Sequence, residues 1–145
     1  MAANKLFERG TPLTFPMPSS VKSGAPVMPG GTLAGVANED YNANTGLVSC
    51  DLEGVFLLPV TAVTALSPAT GSAVNVGDAI YADTDGTTDS ATGAYTGFTL
   101  TKNSSGKYFG TAVPGPDITS GAKQLIASGA TGTIGIRLKE GPQAS

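Results

Sequence analysis

Four carboxylates, Asp78, Asp83, Asp85 and Asp89, fall within the stretch Gly-Asp-Ala-Ile-Tyr-Ala-Asp-Thr-Asp-Gly-Thr-Thr-Asp. In a chain of 145 residues with no histidine and one cysteine, no other stretch is better supplied to hold a metal or a reacting group. Asp83-Thr84-Asp85-Gly86 resembles the start of a calcium loop, in which alternate oxygens converge and a glycine makes the turn. A full loop needs a third acidic residue before the glycine and a glutamate at its end. Here the glycine comes too early, residue 87 is threonine, and no flanking helix is readable. Asp, Gly and Thr are also what turns use, so the stretch reads as a solvated loop, with a weak cation site as the alternative. No metal is expected.

Other chemistries lack parts. Without histidine, neither a Ser-His-Asp nor a Cys-His arrangement can be built. One cysteine cannot supply a zinc ligand set. Cys50 alternates with Val48 and Leu52 on the inner side of a strand, which makes it a core thiol rather than a nucleophile. Gly106-Lys107 has Thr101 where a P-loop needs glycine and Tyr108 where it needs serine or threonine. Asp51 and Glu53 share the outer side of a strand, in a chain with no tryptophan to line a sugar cleft. The reading is a non-enzyme that takes no cofactor.

The elements that position these residues are short strands. Twenty glycines and ten prolines interrupt helices, and charged residues make up only 13%. Thr32–Ala37 reads as a strand, Asn38–Gly46 as a polar loop, and 48–53 as the clearest alternation in the chain. Val55-Phe56-Leu57-Leu58-Pro59-Val60 is apolar on both faces, so it lies in a core or meets another subunit. A helical turn is allowed before Pro68. Strands follow at 79–82, 98–101 and 107–110, with Asn103-Ser104-Ser105-Gly106 as a hairpin signal between the last two. Residues 119–129 allow one short helix capped by Ser120. In the last strand Ile134, Ile136 and Leu138 take one face, and Gly135, Arg137 and Lys139 the other. The fold class is all-β, a small sandwich or barrel-like domain with an extended Pro-rich N-terminal arm and at most one short helix.

Prolines at 12, 16, 18, 26 and 29 keep the first thirty residues extended. The division is an arm over 1–30, a β domain over 31–140 and a flexible tail over 141–145. Phe7, Leu13, Phe15 and Met17 need burial, either on a neighbouring surface or on their own domain. Net charge is −3, and the eight lysines and arginines are scattered, so nucleic acid is not an expected partner. No apolar run is long enough to span a membrane. The N-terminus lacks a signal-like apolar region, and one cysteine suits a reducing cytoplasm.

Several short motifs stand in a recognisable order. They are Glu8-Arg9-Gly10, Ser23-Gly24-Ala25-Pro26-Val27, Gly35-Val36-Ala37 and Glu53-Gly54-Val55-Phe56-Leu57-Leu58-Pro59. Val76-Gly77-Asp78-Ala79-Ile80-Tyr81 and Ile134-Gly135-Ile136-Arg137-Leu138 complete the set. Together they resemble the phage capsid cement, or head decoration, proteins, over about residues 4–139. The Thr-, Ser- and Gly-rich stretches around 61–73 and 84–97 are longer than in compact relatives. The resemblance implies a structural protein on the capsid exterior, made in the host cytoplasm during assembly. It would bind the expanded head, bridge major capsid subunits and stabilise the shell against packaged DNA. Its partners would be the phage major capsid protein and itself, as a homotrimer. Phe7, Arg9, Leu13, Phe15 and Met17 are the expected capsid or subunit contacts, and Val55 and Leu57 the expected self-association residues. The alternative is a phage tail or fibre β-domain that binds a host glycan.

Overall fold

The computed structural model describes residues 13–114 and 123–139. Its strands are β1 (Leu13–Pro16), β2 (Pro26–Val27), β3 (Gly35–Ala37), β4 (Leu47–Asp51) and β5 (Val55–Thr61). There follow β6 (Val63–Leu66), β7 (Ala69–Gly71), β8 (Val74–Asn75), β9 (Ala79–Ala82) and β10 (Thr87–Thr88). The last five are β11 (Tyr95–Thr96), β12 (Leu100–Thr101), β13 (Lys107–Val113), β14 (Gln124–Ile126) and β15 (Thr131–Leu138). The fold is all-β, with one 3-10 turn at Pro29–Gly31 among the described residues.

Five antiparallel strands in the order β12-β9-β13-β15-β5 form the main sheet, which curls into a nearly closed barrel as β12 comes back towards β5. The longest ladder runs from Thr131 opposite Thr61 to Arg137 opposite Val55. Strand alternation sends Leu58, Val60, Ile80, Ala82, Phe109, Ala112, Ile134, Ile136 and Leu138 into one core. Phe109 is fully buried there and leans on Phe98 at 5.7 Å, while Phe98 stacks on Tyr95 at 5.3 Å. Burying such a ring contributes about 1.5–3 kcal/mol.

A second sheet, β1-β4-β3-β2, covers a smaller core of Met17, Val21, Val27, Ala37, Val48, Cys50 and Ala94. In the described part of the segment read as an arm, Leu13–Pro16 and Pro26–Val27 are strands of this sheet, and turns at 19–20 and 23–24 fold the chain between them. Leu13 to Pro16 pair with Cys50 to Leu47, and Pro26–Val27 pair with β3. A division at residue 30 therefore does not coincide with a break in packing.

Three local readings change. The hairpin signal at Asn103–Gly106 is a turn, with the Gly106 amide donating to the Asn103 carbonyl at 2.9 Å, but it joins no hairpin. Strand β9 lies between its two arms: Ala82 faces both Leu100 and Lys107. Glycine is required at 106, because a Cβ there would stand 2.2 Å from the Ala82 carbonyl oxygen. The stretch before Pro68 is strand β6, paired with β7, not a helical turn. Within 119–129, Gln124–Ile126 pair with β8 as a strand, and Ser120 lies outside the described residues.

Candidate functional site

The acidic stretch is bonded to its own surroundings. Asp83, expected in a solvated loop, is 1% exposed. Its carboxylate accepts from Thr101 Oγ1 at 2.7 Å, Asn103 Nδ2 at 3.1 Å and the Thr84 amide at 2.6 Å. A buried carboxylate is tolerated when its lone pairs are filled this way. Asp85 accepts from the Thr99 amide at 2.9 Å and hydroxyl at 2.7 Å, and Asp89 from those of Thr92 at 3.0 and 2.7 Å. Tyr95 completes the network: its hydroxyl donates to the Asp83 carbonyl and accepts from the Gly86 amide at 3.0 Å. Burial raises the phenol above its ordinary pKa against the pull of the Gly86 amide, and Asp85 and Asp83 add to the rise. These carboxylates staple loops. Among the described residues, no three His, Cys, Asp or Glu side chains are grouped to hold a metal ion.

Cys50 is fully buried, and its thiol is pushed up to about 12 by burial, with Asp51 and Glu39 contributing. Such a thiol has no appreciable thiolate at neutral pH. Asp51 accepts from Asn38 Nδ2 at 3.2 Å, and Glu53 is exposed beyond the strand end. At the entry to β9, Asp78 accepts from the Asn75 amide at 2.7 Å and faces Lys102 Nζ at 3.1 Å. Lys102 also donates to the Ala73 carbonyl at 2.8 Å, so one ammonium ties β12 to the chain between β7 and β8.

The outer face of the main sheet is different in character. In β5, Phe56, Leu58 and Val60 point inward, and Val55, Leu57 and Pro59 outward. Val55 is 56% and Leu57 52% exposed, so the strand read as apolar on both faces is covered on one. Opposite Leu57 on β15 stands Gly135. Val113, across from Gly135 on β13, fills the space a side chain would take: its Cγ2 lies 2.8 Å from where a Cβ would be. The apolar row thus continues from Leu57 over Gly135 to Val113. Further along, Tyr81 and Tyr108 meet edge to face at 5.8 Å. Open apolar surface of this kind on a sheet edge is a contact surface or an aggregation hazard.

The expected contact residues divide. Phe7 and Arg9 lie outside the described residues. Leu13 and Phe15 stand opposite Cys50 and Val48, on the same face of the sheet, and are half-buried against their own domain. Met17 is 2% exposed inside the smaller core. Sequence reasoning gave no role to Lys139, set on the face opposite Ile134, Ile136 and Leu138; it is buried, its ammonium without a hydrogen-bond partner. Alternation alone gave no sign of this, since Arg137 on the same face is exposed; beyond the end of β15 the Lys139 amide donates to the Phe109 carbonyl at 3.0 Å, and Lys107 lies close by.

Residues 7–115 match the phage cement protein family, from before β1 to just beyond β13. The chain belongs to that family. Membership makes it a structural rather than enzymatic protein, associated with the virion capsid. No curated protein and no solved structure matches the chain. Strands β14 and β15 lie beyond the matched residues, although β15 stands between β13 and β5 in the main sheet.

Proposed function

We propose that the protein binds the outer surface of the expanded phage head, bridges neighbouring major capsid subunits and strengthens the shell against the pressure of packaged DNA. The family match carries this reading. The β5 row supports it, since a small domain with two half-exposed aliphatic residues side by side on one strand is built to be covered. Val55 and Leu57 are the self-association residues of a homotrimer. Phe7 and Arg9 reach the capsid or an adjacent subunit. Leu13, Phe15 and Met17, held in β1 and the smaller core, join them as contacts on the same stretch of chain. The protein meets the head in the host cytoplasm during assembly.

The test is cosedimentation of purified protein with expanded heads and, separately, with unexpanded procapsids. Saturable binding to expanded heads alone is the expected result. Equal binding to both, or to neither, would overturn the reading.

A further inference from the structure

We propose that Lys139, with Lys107 beside it, is a seat for a carboxylate side chain on the surface that the protein binds, an inference that rests on the head-binding role proposed above. Lysines are almost never fully buried unless paired. Among the described residues, the Lys139 ammonium is the one buried side-chain nitrogen or oxygen without a hydrogen-bond partner. The contrast with Asp83 is direct. That carboxylate is buried more deeply still, 1% exposed against 9% for Lys139, and is met by donors from Thr84, Thr101 and Asn103, so the fold satisfies buried charge where charge serves the fold.

Lys107 is the charged group that bears on Lys139. Lys107 opens β13, and its ammonium stands 5.4 Å over the Tyr95 ring, which occupies it with a neutral partner. Burial, and then Lys107, hold the Lys139 amine below its ordinary pKa, so the site favours an anion that would offset both. The lysine stem is long, so rotation about its end would carry the ammonium towards an arriving oxygen. A protein carboxylate fits better than a phosphate polymer. The chain is net negative and its cations are scattered, so a long polyanion is repelled where a single acidic side chain is not. An unpartnered charge in the free protein that gains its partner on assembly makes the bound state selectively favourable.

The variants are Lys139→Met, close in length and apolar, and Lys139→Arg, which keeps the charge. Thermal unfolding and binding to expanded heads are measured for each. The Met variant is expected to melt no lower than the wild type, because a buried unpaired charge has been removed, and to bind heads about tenfold more weakly. The Arg variant is expected to retain most of the binding. Undiminished head binding by the Met variant overturns the proposal, and so does a marked fall in its melting temperature, which would show that the ammonium serves the free fold. A second readout is the melting temperature in succinate against chloride at equal ionic strength, with succinate expected to raise the wild type but not the Met variant. If the wild type fails to bind heads, the capsid role falls, and the succinate difference alone shows whether the anion seat stands. Oligonucleotide binding that is lost with Lys139→Met would overturn the carboxylate assignment in favour of phosphate.

Discussion

Lys102 Nζ lies 3.1 Å from Asp78 Oδ2, joining the entry to β9 with the exit from its neighbour β12. Partial burial works to raise the Asp78 pKa, but the Asn75 amide, Lys102 and Lys123 together outweigh it and hold the carboxyl below its usual value. A carboxyl whose pKa is lower in the folded state stabilises that state above its unfolded pKa, near 4, and loses the contribution as pH falls through the lower folded value. Asp78→Asn is therefore expected to lower stability by about 1 kcal/mol at neutral pH, since solvent screens part of the pair. The gap between variant and wild type should close below about pH 4. Urea unfolding at a series of pH values checks this, and a gap that widens in acid would contradict the assignment.

Cys50 gives a second test of the smaller core. With its thiol pushed up to about 12 and its side chain fully buried, native-state labelling by a thiol reagent should be slow at neutral pH and fast after denaturation. Cys50→Ser should cost about 1–3 kcal/mol, because a hydroxyl would replace the thiol in a dry site. Rapid native labelling would mean that β1 does not cover β4 as the ladder from Leu13–Cys50 to Pro16–Leu47 requires.

The first strand separates two truncations. The sequence alone suggests that residues 2–18 can be removed without loss of the β domain, but β1 is an edge strand and Met17 fills the smaller core. Removing residues 2–12 should leave the melting temperature nearly unchanged. Removing residues 2–18 should cost several kcal/mol, about 2–5 for the Met17 side chain alone. Circular dichroism melts of the two proteins decide the matter, and equal stability would show β1 to be dispensable.

What could be read in advance followed from side-chain alternation. Val48 and Cys50 inward, and Ile134, Ile136 and Leu138 inward, needed only the period of a strand and an apolar core. The failures were contacts that cross the sequence. Nothing local to Asn103–Gly106 says that β9 will be inserted between the strands on either side, because that depends on Leu100 and Lys107 both pairing with Ala82, well before them in the chain. Asp83 looked solvated because its partners, Thr101 and Asn103, lie far along the chain. The burial of Lys139 was hidden for the same reason. Of the candidate contact residues, Val55 and Leu57 were found as an apolar pair, yet the extension of their row across Gly135 to Val113 required the register of three strands.

That row supports the last prediction. Val55 and Leu57 are each about half exposed, so replacing both with serine removes little apolar surface from the isolated domain's core and should shift the monomer's stability by less than about 1 kcal/mol. Association is another matter. Covering the remaining apolar surface of both residues in every copy contributes on the order of 1 kcal/mol per side chain, and these add around a closed ring of subunits. The double variant Val55→Ser, Leu57→Ser should therefore remain folded while the proposed trimer dissociates. Sedimentation velocity over a range of concentrations measures the change, with circular dichroism confirming that the sheet is intact. A trimer that persists in the folded double variant at the wild-type dissociation concentration would remove the β5 face from the self-association surface, and the exposed Leu57 would then have to be covered by the capsid instead.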